Sequence, residues 1–220
     1  MTSMLDRESI IQETANFVRK EQEGESSGHD WWHTYRVWKL AEQISKSESA
    51  DSFIVQLAAL LHDIADHKFN NGDLKAGRSI ITDHLSTLGI NQDSIEFIND
   101  IVENISFKGA NVEESALSIE GKIVQDADRL DAIGAVGIAR AFAYGGFSNR
   151  VIYNPDIKPE IHSDFQSYRS NTAPSINHFY EKLLLLKDRM HTTSAKKIAE
   201  ERHRFMEQYL NQFFNEWEGN

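Results

Sequence analysis

Two His-Asp dipeptides occur in this 220-residue chain, His29-Asp30 and His62-Asp63. Nine histidines and fifteen aspartates yield about 0.6 such pairs by chance, so the dipeptide alone carries no chemistry. Context separates the two. His62-Asp63 closes the apolar run LAALL, where a charged pair is desolvated at a cost of several kcal/mol unless something compensates it. His29-Asp30 stands in a polar, glycine-containing stretch, where Asp30 can cap the first turn of a helix. Asp126, Asp128 and Asp131 form a second anomaly, because Ile123, Val124, Leu130, Ile133 and Val136 leave them little polar surface. His33 is a third, on a stripe with Val37, Leu40, Ala41 and Ile44. Taken singly, His33 reads as a hydrogen-bonded core histidine and Asp128 as an ion-pair partner of Arg36 or Arg129. Taken together, three apolar helices each carry a group able to bind metal. Helices pack about 8–10 Å apart, so such groups can meet at one ion.

The elements that position these residues are helical. Apolar residues recur at three- and four-residue spacing, which predicts helices over about 5–20, 31–46, 52–66, 73–88 and 92–106. Asp51 and Asn91 are plausible caps, and Gly89 is a natural C-terminal stop. FIVQLAALLHDIA is apolar nearly all round, which marks a buried central helix. A long helix is expected over about 119–144, ended by Gly145-Gly146. All three prolines, Pro155, Pro159 and Pro174, fall in the next thirty residues, which read as a long irregular loop at 147–175. Within it, RVIY at 150–153 is the one candidate strand. Two helices close the chain. Ile176, Phe179, Tyr180, Leu183, Leu184 and Met190 face inward in one, and Ile198, Phe205, Met206, Tyr209, Phe213 and Trp217 in the other. The expected fold is all-α and a single domain over 1–220.

Composition narrows the function. Hydrophobic residues make up 40% and charged residues 26%, as in an ordinary globular protein. Zero cysteines remove thiolate ligands and cysteine nucleophiles, so a metal here must use histidine, carboxylate, carbonyl or water. The net charge of −11 argues against a nucleic-acid partner, which needs a basic surface. It leaves room for a small phosphorylated substrate, since a metal and a few cations reverse the field inside one cleft. No apolar run approaches the ~20 residues needed to span a bilayer. The segment MTSMLDRESIIQET is acidic and polar where a signal peptide is basic and then apolar, so the expected compartment is the cytoplasm.

GHDWWHTYRVWKLA, LAALLHDIADHK and IVQDADRLDAIGAVGIARAF resemble the three characteristic blocks of the HD superfamily of metal-dependent phosphohydrolases. The likeness covers roughly 25–146, about half the chain, and is nearest to the small stand-alone bacterial subgroup of YpgQ- and YedJ-like proteins. It implies a helical bundle and a metal set of His33, His62, Asp63 and Asp128. It also implies one divalent ion, because HD enzymes with two metals carry further histidines where this chain has only His84. The mixed N/O donor set favours Mn²⁺ or Mg²⁺, with Co²⁺, Ni²⁺ or Fe²⁺ as alternatives. Related enzymes often place an acidic residue three positions after the HD aspartate. Here it is Asp66, a candidate general base or a group that holds the attacking water in place, although capping the helix or pairing with Lys68 accounts for it equally well.

Arg36 and Lys68 are candidate phosphate contacts beside the site, and Lys108, Arg129 and Tyr144 are candidate substrate contacts. Trp31, Trp32 and Tyr144 suit stacking on a base, with ordinary packing as the competing account. His67, His84, His162, His178, His191 and His203 show no ligand spacing. The activity the resemblance implies is hydrolysis of small nucleotides, with nucleoside triphosphates cut to monophosphate and pyrophosphate as first choice. A 5′-nucleotidase or a (p)ppGpp-type hydrolase is the alternative within the class; HDIADH departs from the HDxxED pattern of the latter. A non-catalytic metal or nucleotide sensor, or a helical scaffold with coincidental core polar groups, is the alternative outside it. The loop at 147–175 is expected to fold over the cleft and shape substrate choice, and the two terminal helices suit either packing or a homodimer contact.

Overall fold

The structure, a computed structural model, describes residues 6–24, 30–64, 74–105, 116–160 and 173–220. Every regular element among them is helical, as the sequence periodicity predicts. The chain divides into two compact units, the first ending at Ala127 and the second beginning at Asp128.

The first unit holds α1 (Arg7–Glu21), α2 (Trp31–Ser45), α3 (Ser52–Leu61), α4 (Leu74–Thr87), α5 (Gln92–Asn104) and most of α6 (Ile119–Asp131). Short polar side chains start these helices by accepting the N–H groups that a first turn leaves open. Asp6, Asp30, Asp51 and Asn91 take the amides of Ser9, His33, Phe53 and Ser94. Just past α4, Gly89 has a φ of +76° that lets Ile90 N donate back to the Leu85 carbonyl. α3 is the centre of this unit. It packs against α1, α2 and α5, and its Val55 and Leu57 through Leu61 are fully buried. It is shorter than the sequence suggests, stopping at Leu61 with a turn through Ile64. His62 and Asp63 therefore stand in the turn just past the helix.

The expected long helix over 119–144 is two helices. α6 ends at Asp131, and α7 (Gly134–Phe147) starts after a break at Ala132 and Ile133. Gly134 has a φ of +77°, outside any right-handed helix. Three residues on, a Cβ on Gly137 would lie 2.2 Å from the Ala132 carbonyl oxygen, so the first turn of α7 folds back onto the break. Gly145-Gly146 does not stop α7 either. The helix runs on to Phe147, and the left-handed residue is Asn149. Gly145 is needed for a different reason, since a Cβ there would meet Ser175 Oγ at 2.1 Å.

The second unit continues with α8 (Asn177–Glu181), a 3-10 helix (Leu183–Arg189) and α9 (Thr193–Trp217). The described parts of the expected loop, 148–160 and 173–176, are irregular; residues 161–172 lie outside the described residues. RVIY is not a strand, although Ser175 N and Ile176 N donate to the Val151 and Ile152 carbonyls. The penultimate helix becomes a short α-turn and a 3-10 segment, which resets the inward positions. Leu183, Leu186 and Met190 are buried while Tyr180 faces out. On α9, Met206 and Leu210 are buried, but Phe205 and Trp217 are exposed. Phe142, Phe179 and Tyr209 meet at centroid distances of about 6 Å, an ordinary aromatic core contact.

Candidate metal centre

α2 delivers His33 at its first turn, where its amide is held by the Asp30 side chain and its ring points to the buried face with Val37, Ala41 and Ile44. Asp30 thus acts as the cap its polar context predicts. α3 delivers His62 and Asp63 at its C-terminal end. His33, His62 and Asp63 are 1%, 8% and 6% exposed, so their polar groups are sheltered from bulk water.

Their geometry is convergent. His62 Nδ1 lies 2.7 Å from the Ala59 carbonyl, one of the acceptors that the last turn of α3 leaves open. A carbonyl can only accept, so Nδ1 carries the hydrogen and His62 turns the bare Nε2 inward. His62 Nε2 and His33 Nε2 are 3.3 Å apart, with their rings at 69°. The Asp63 carboxylate sends one oxygen to each, both at 3.4 Å.

The boundary between the units falls inside α6, so Asp128 stands on the same unbroken helix as Val124 and Ala127. His33, His62 and Asp128 each offer one ligand atom, all within 4.8 Å of one another. Among the described residues the three form a group able to hold a metal ion. Donors about 2.1 Å from a common ion and at right angles lie about 3 Å apart. The spacings of His33, His62 and Asp63 are close to that edge, and the donors are imidazole and carboxylate. This chemistry fits a divalent metal.

The other sequence candidates fall in different places. Asp66, Lys68 and Lys108 lie outside the described residues. Arg36 is half-buried on α2, one turn beyond His33. Arg129 is buried, donates to the Arg189 carbonyl and lies 3.3 Å from His191, so the fold itself uses its guanidinium. Tyr144 is exposed, with the Arg150 guanidinium 5.5 Å from its ring centroid. Of the three α6 aspartates, Asp131 has a structural ion pair, 2.7 Å from Arg140. His84 is half-buried and packs against α1, stacked 4.0 Å from Phe17 and 3.2 Å from Thr14 Oγ1. Sequence reasoning missed Arg140 and Arg202, whose side chains tie down the end of α6. No local pattern marks them, since Arg202 is 72 residues from the Leu130 carbonyl to which it donates.

With two histidines, an adjacent aspartate and a later aspartate so arranged, the chain belongs to the HD-domain family, which it matches over residues 31–133. It is 44% identical to the uncharacterised protein YpgQ of Bacillus subtilis strain 168 over 189 residues, 86% of this chain and 84% of YpgQ. The crystal structure of an HD-superfamily hydrolase from Bacillus thuringiensis matches with a TM-score of 0.79 at 44% identity, covering 98% of this chain and all of the other. The structure of Bacillus subtilis YpgQ in complex with ADP matches with a TM-score of 0.77, covering 96% of each chain at 38% identity.

Proposed function

We propose that this protein is a metal-dependent phosphohydrolase of small nucleotides, splitting nucleoside triphosphates into monophosphate and pyrophosphate. The observation that carries the reading is the meeting of two buried imidazole Nε2 atoms with one buried carboxylate at 3.3–3.4 Å. The ADP held by YpgQ supports a nucleotide as the ligand class.

His33, His62, Asp63 and Asp128 would hold one divalent ion, Mn²⁺ or Mg²⁺ ahead of Co²⁺, Ni²⁺ or Fe²⁺. Such an ion polarises a phosphoryl oxygen and lowers the pKa of the attacking water. The chain's own groups supply the rest. The Ala59 carbonyl keeps His62 in one tautomer and orientation, and Asp63 holds both imidazoles in register. Asp66 takes a proton as water attacks the α-phosphorus. The bond from that phosphorus to the bridging oxygen breaks, and pyrophosphate leaves. Arg36 and Lys68 offset the charge on the phosphoryl oxygens, while Lys108 and Tyr144 contact the remainder of the nucleotide. Arg129, bound to Arg189 and His191, contributes by holding the turn that bears Asp128. The reading places the protein in the cytoplasm as a single domain, without nucleic acid or membrane. No described helix is long and apolar enough to cross a bilayer.

The test strips the protein of metal and restores Mn²⁺, Mg²⁺, Co²⁺ or Ni²⁺ in turn. Each sample meets a panel of nucleoside mono- and triphosphates, with phosphate and pyrophosphate assayed separately. Metal-dependent pyrophosphate release that Asp63→Ala abolishes is the expected result. Orthophosphate from monophosphates would make the protein a 5′-nucleotidase instead. Metal binding without turnover on any substrate would make it a sensor.

A further inference from the structure

The last turn of α6 is held from within the second unit by arginines that the reaction does not use. Arg202, on α9, donates to the carbonyl of Leu130, which also accepts the Ile133 N–H in the turn that closes α6. Its stem runs over Gly134, where an added Cβ would come within 2.9 Å of Arg202 Cγ and 3.0 Å of its Cβ. Arg140, on α7, pairs with Asp131 at 2.7 Å in the same turn. Burial pushes the Arg202 guanidinium below its ordinary value while the Asp131 carboxylate pulls the other way, so the side chain is partly desolvated beside that acid. Asp128 projects from this turn, two residues before Leu130.

We propose that Arg202 is a positioning residue for Asp128. By bonding the Leu130 carbonyl and filling the space over Gly134, it fixes the end of α6 and with it the turn that carries the Asp128 carboxylate. This rests on the metal-centre reading above. A long helix can be held in many ways, but an arginine fork gives a direction as well as a charge, and its stem meets a glycine that admits no side chain. Break and clasp act together. Gly134, just past the break after α6, leaves the room through which Arg202 reaches the Leu130 carbonyl.

The experiment measures Mn²⁺ affinity by calorimetry and the visible spectrum after Co²⁺ loading, on the full-length protein and its Arg202→Met, Arg202→Lys, Asp128→Asn and Phe179→Leu variants. Arg202→Met keeps the stem and loses the fork. It is expected to weaken Mn²⁺ binding about tenfold, as loss of a ligand's supporting partner does, and to shift the Co²⁺ bands. Arg202→Lys should recover part of both. Phe179→Leu, a core substitution away from the turn, should lower the melting temperature with Mn²⁺ affinity unchanged. Unaltered affinity and an unaltered Co²⁺ spectrum in Arg202→Met would overturn the proposal while leaving the metal centre standing. If Arg202→Met does not fold, the same unaltered readings in Arg202→Lys overturn it. Failure of the parent protein to bind Mn²⁺, or full binding by Asp128→Asn, would instead remove the metal centre and this inference with it.

Discussion

In the first unit, two imidazoles share one carboxylate, with His33 and His62 each 3.4 Å from an Asp63 oxygen. In the second, Asp131 meets Arg140 at 2.7 Å, and the Leu130 carbonyl takes Arg202. Both regions bury polar groups among aliphatic side chains, yet the chemistry differs. A carboxylate facing a guanidinium satisfies charge and hydrogen bonds together, which is how a fold accommodates a buried acid. Two imidazoles that turn their Nε2 atoms toward each other and toward one carboxylate bring several lone pairs together, an arrangement that fits a cation. A half-buried histidine of the second unit sharpens the contrast. His178 lies near Lys182 and Arg150, and burial first, then those cations, pushes it down to about 3. A desolvated imidazole alone therefore does not mark a ligand; what marks it is which atoms face it.

The comparison is most exposed to Asp63→Ala. Loss of a partner outside the ligand set typically costs about 10–100-fold in metal affinity, so removing a ligand should cost at least that much and abolish turnover. Titration calorimetry with Mn²⁺ checks it, and a variant that bound metal normally would reduce the cluster to a structural network like that of the second unit. Asp131→Asn should act in the opposite register. Breaking a buried ion pair costs about 3–5 kcal/mol, discounted here to about 2 because Arg140 is partly exposed. Thermal unfolding should show a drop of roughly 5 °C.

Acid stability tests the His178 environment. The folded chain holds this ring neutral down to about 3, while the unfolded chain protonates it near 6.5. The unfolded state therefore binds the extra proton between these values. The contribution of His178 is complete above 6.5 and is lost as pH falls toward 3. His178→Asn should reduce the pH dependence of the unfolding free energy in that window by up to one proton, measured by urea titrations at several pH values. An unchanged slope would mean that the ring is charged in the fold. The smallest effect belongs to Asp30→Ala. Loss of the cap on α2 should cost about 1 kcal/mol, and Asp30→Ser should restore most of it. A far larger loss of metal affinity than of stability would show that the cap also orients His33.

Much of this molecule is local and therefore legible in the chain. Helical spacing places α1, α2, α4 and α5 within a residue or two, because an amphipathic stripe has to turn toward the interior whatever the fold. Asp30, Asp51 and Asn91 cap as expected, since a short oxygen side chain meets the amides of its own next turn. Gly89 ends α4 by its own backbone freedom. The burial of His33, His62 and Asp63 also follows from their apolar neighbours.

Other features depend on residues far apart in sequence. IVQDADRLDAIGAVGIARAFAY reads as one helix because almost every residue favours it. Its break is decided by the left-handed Gly134 beneath Arg202 and by the approach of Gly137 to the Ala132 carbonyl. Gly145 looked like a stop, but its reason is Ser175, which only the folded chain brings beside it. The three anomalous aspartates of α6 were alike in sequence and part company in space, Asp131 to Arg140 and Asp128 to the imidazoles. Residue types and periodicity determined that polar groups had to be buried on these helices. Which of them close into pairs, and which converge on one point, is set by contacts between helices that no single helix encodes.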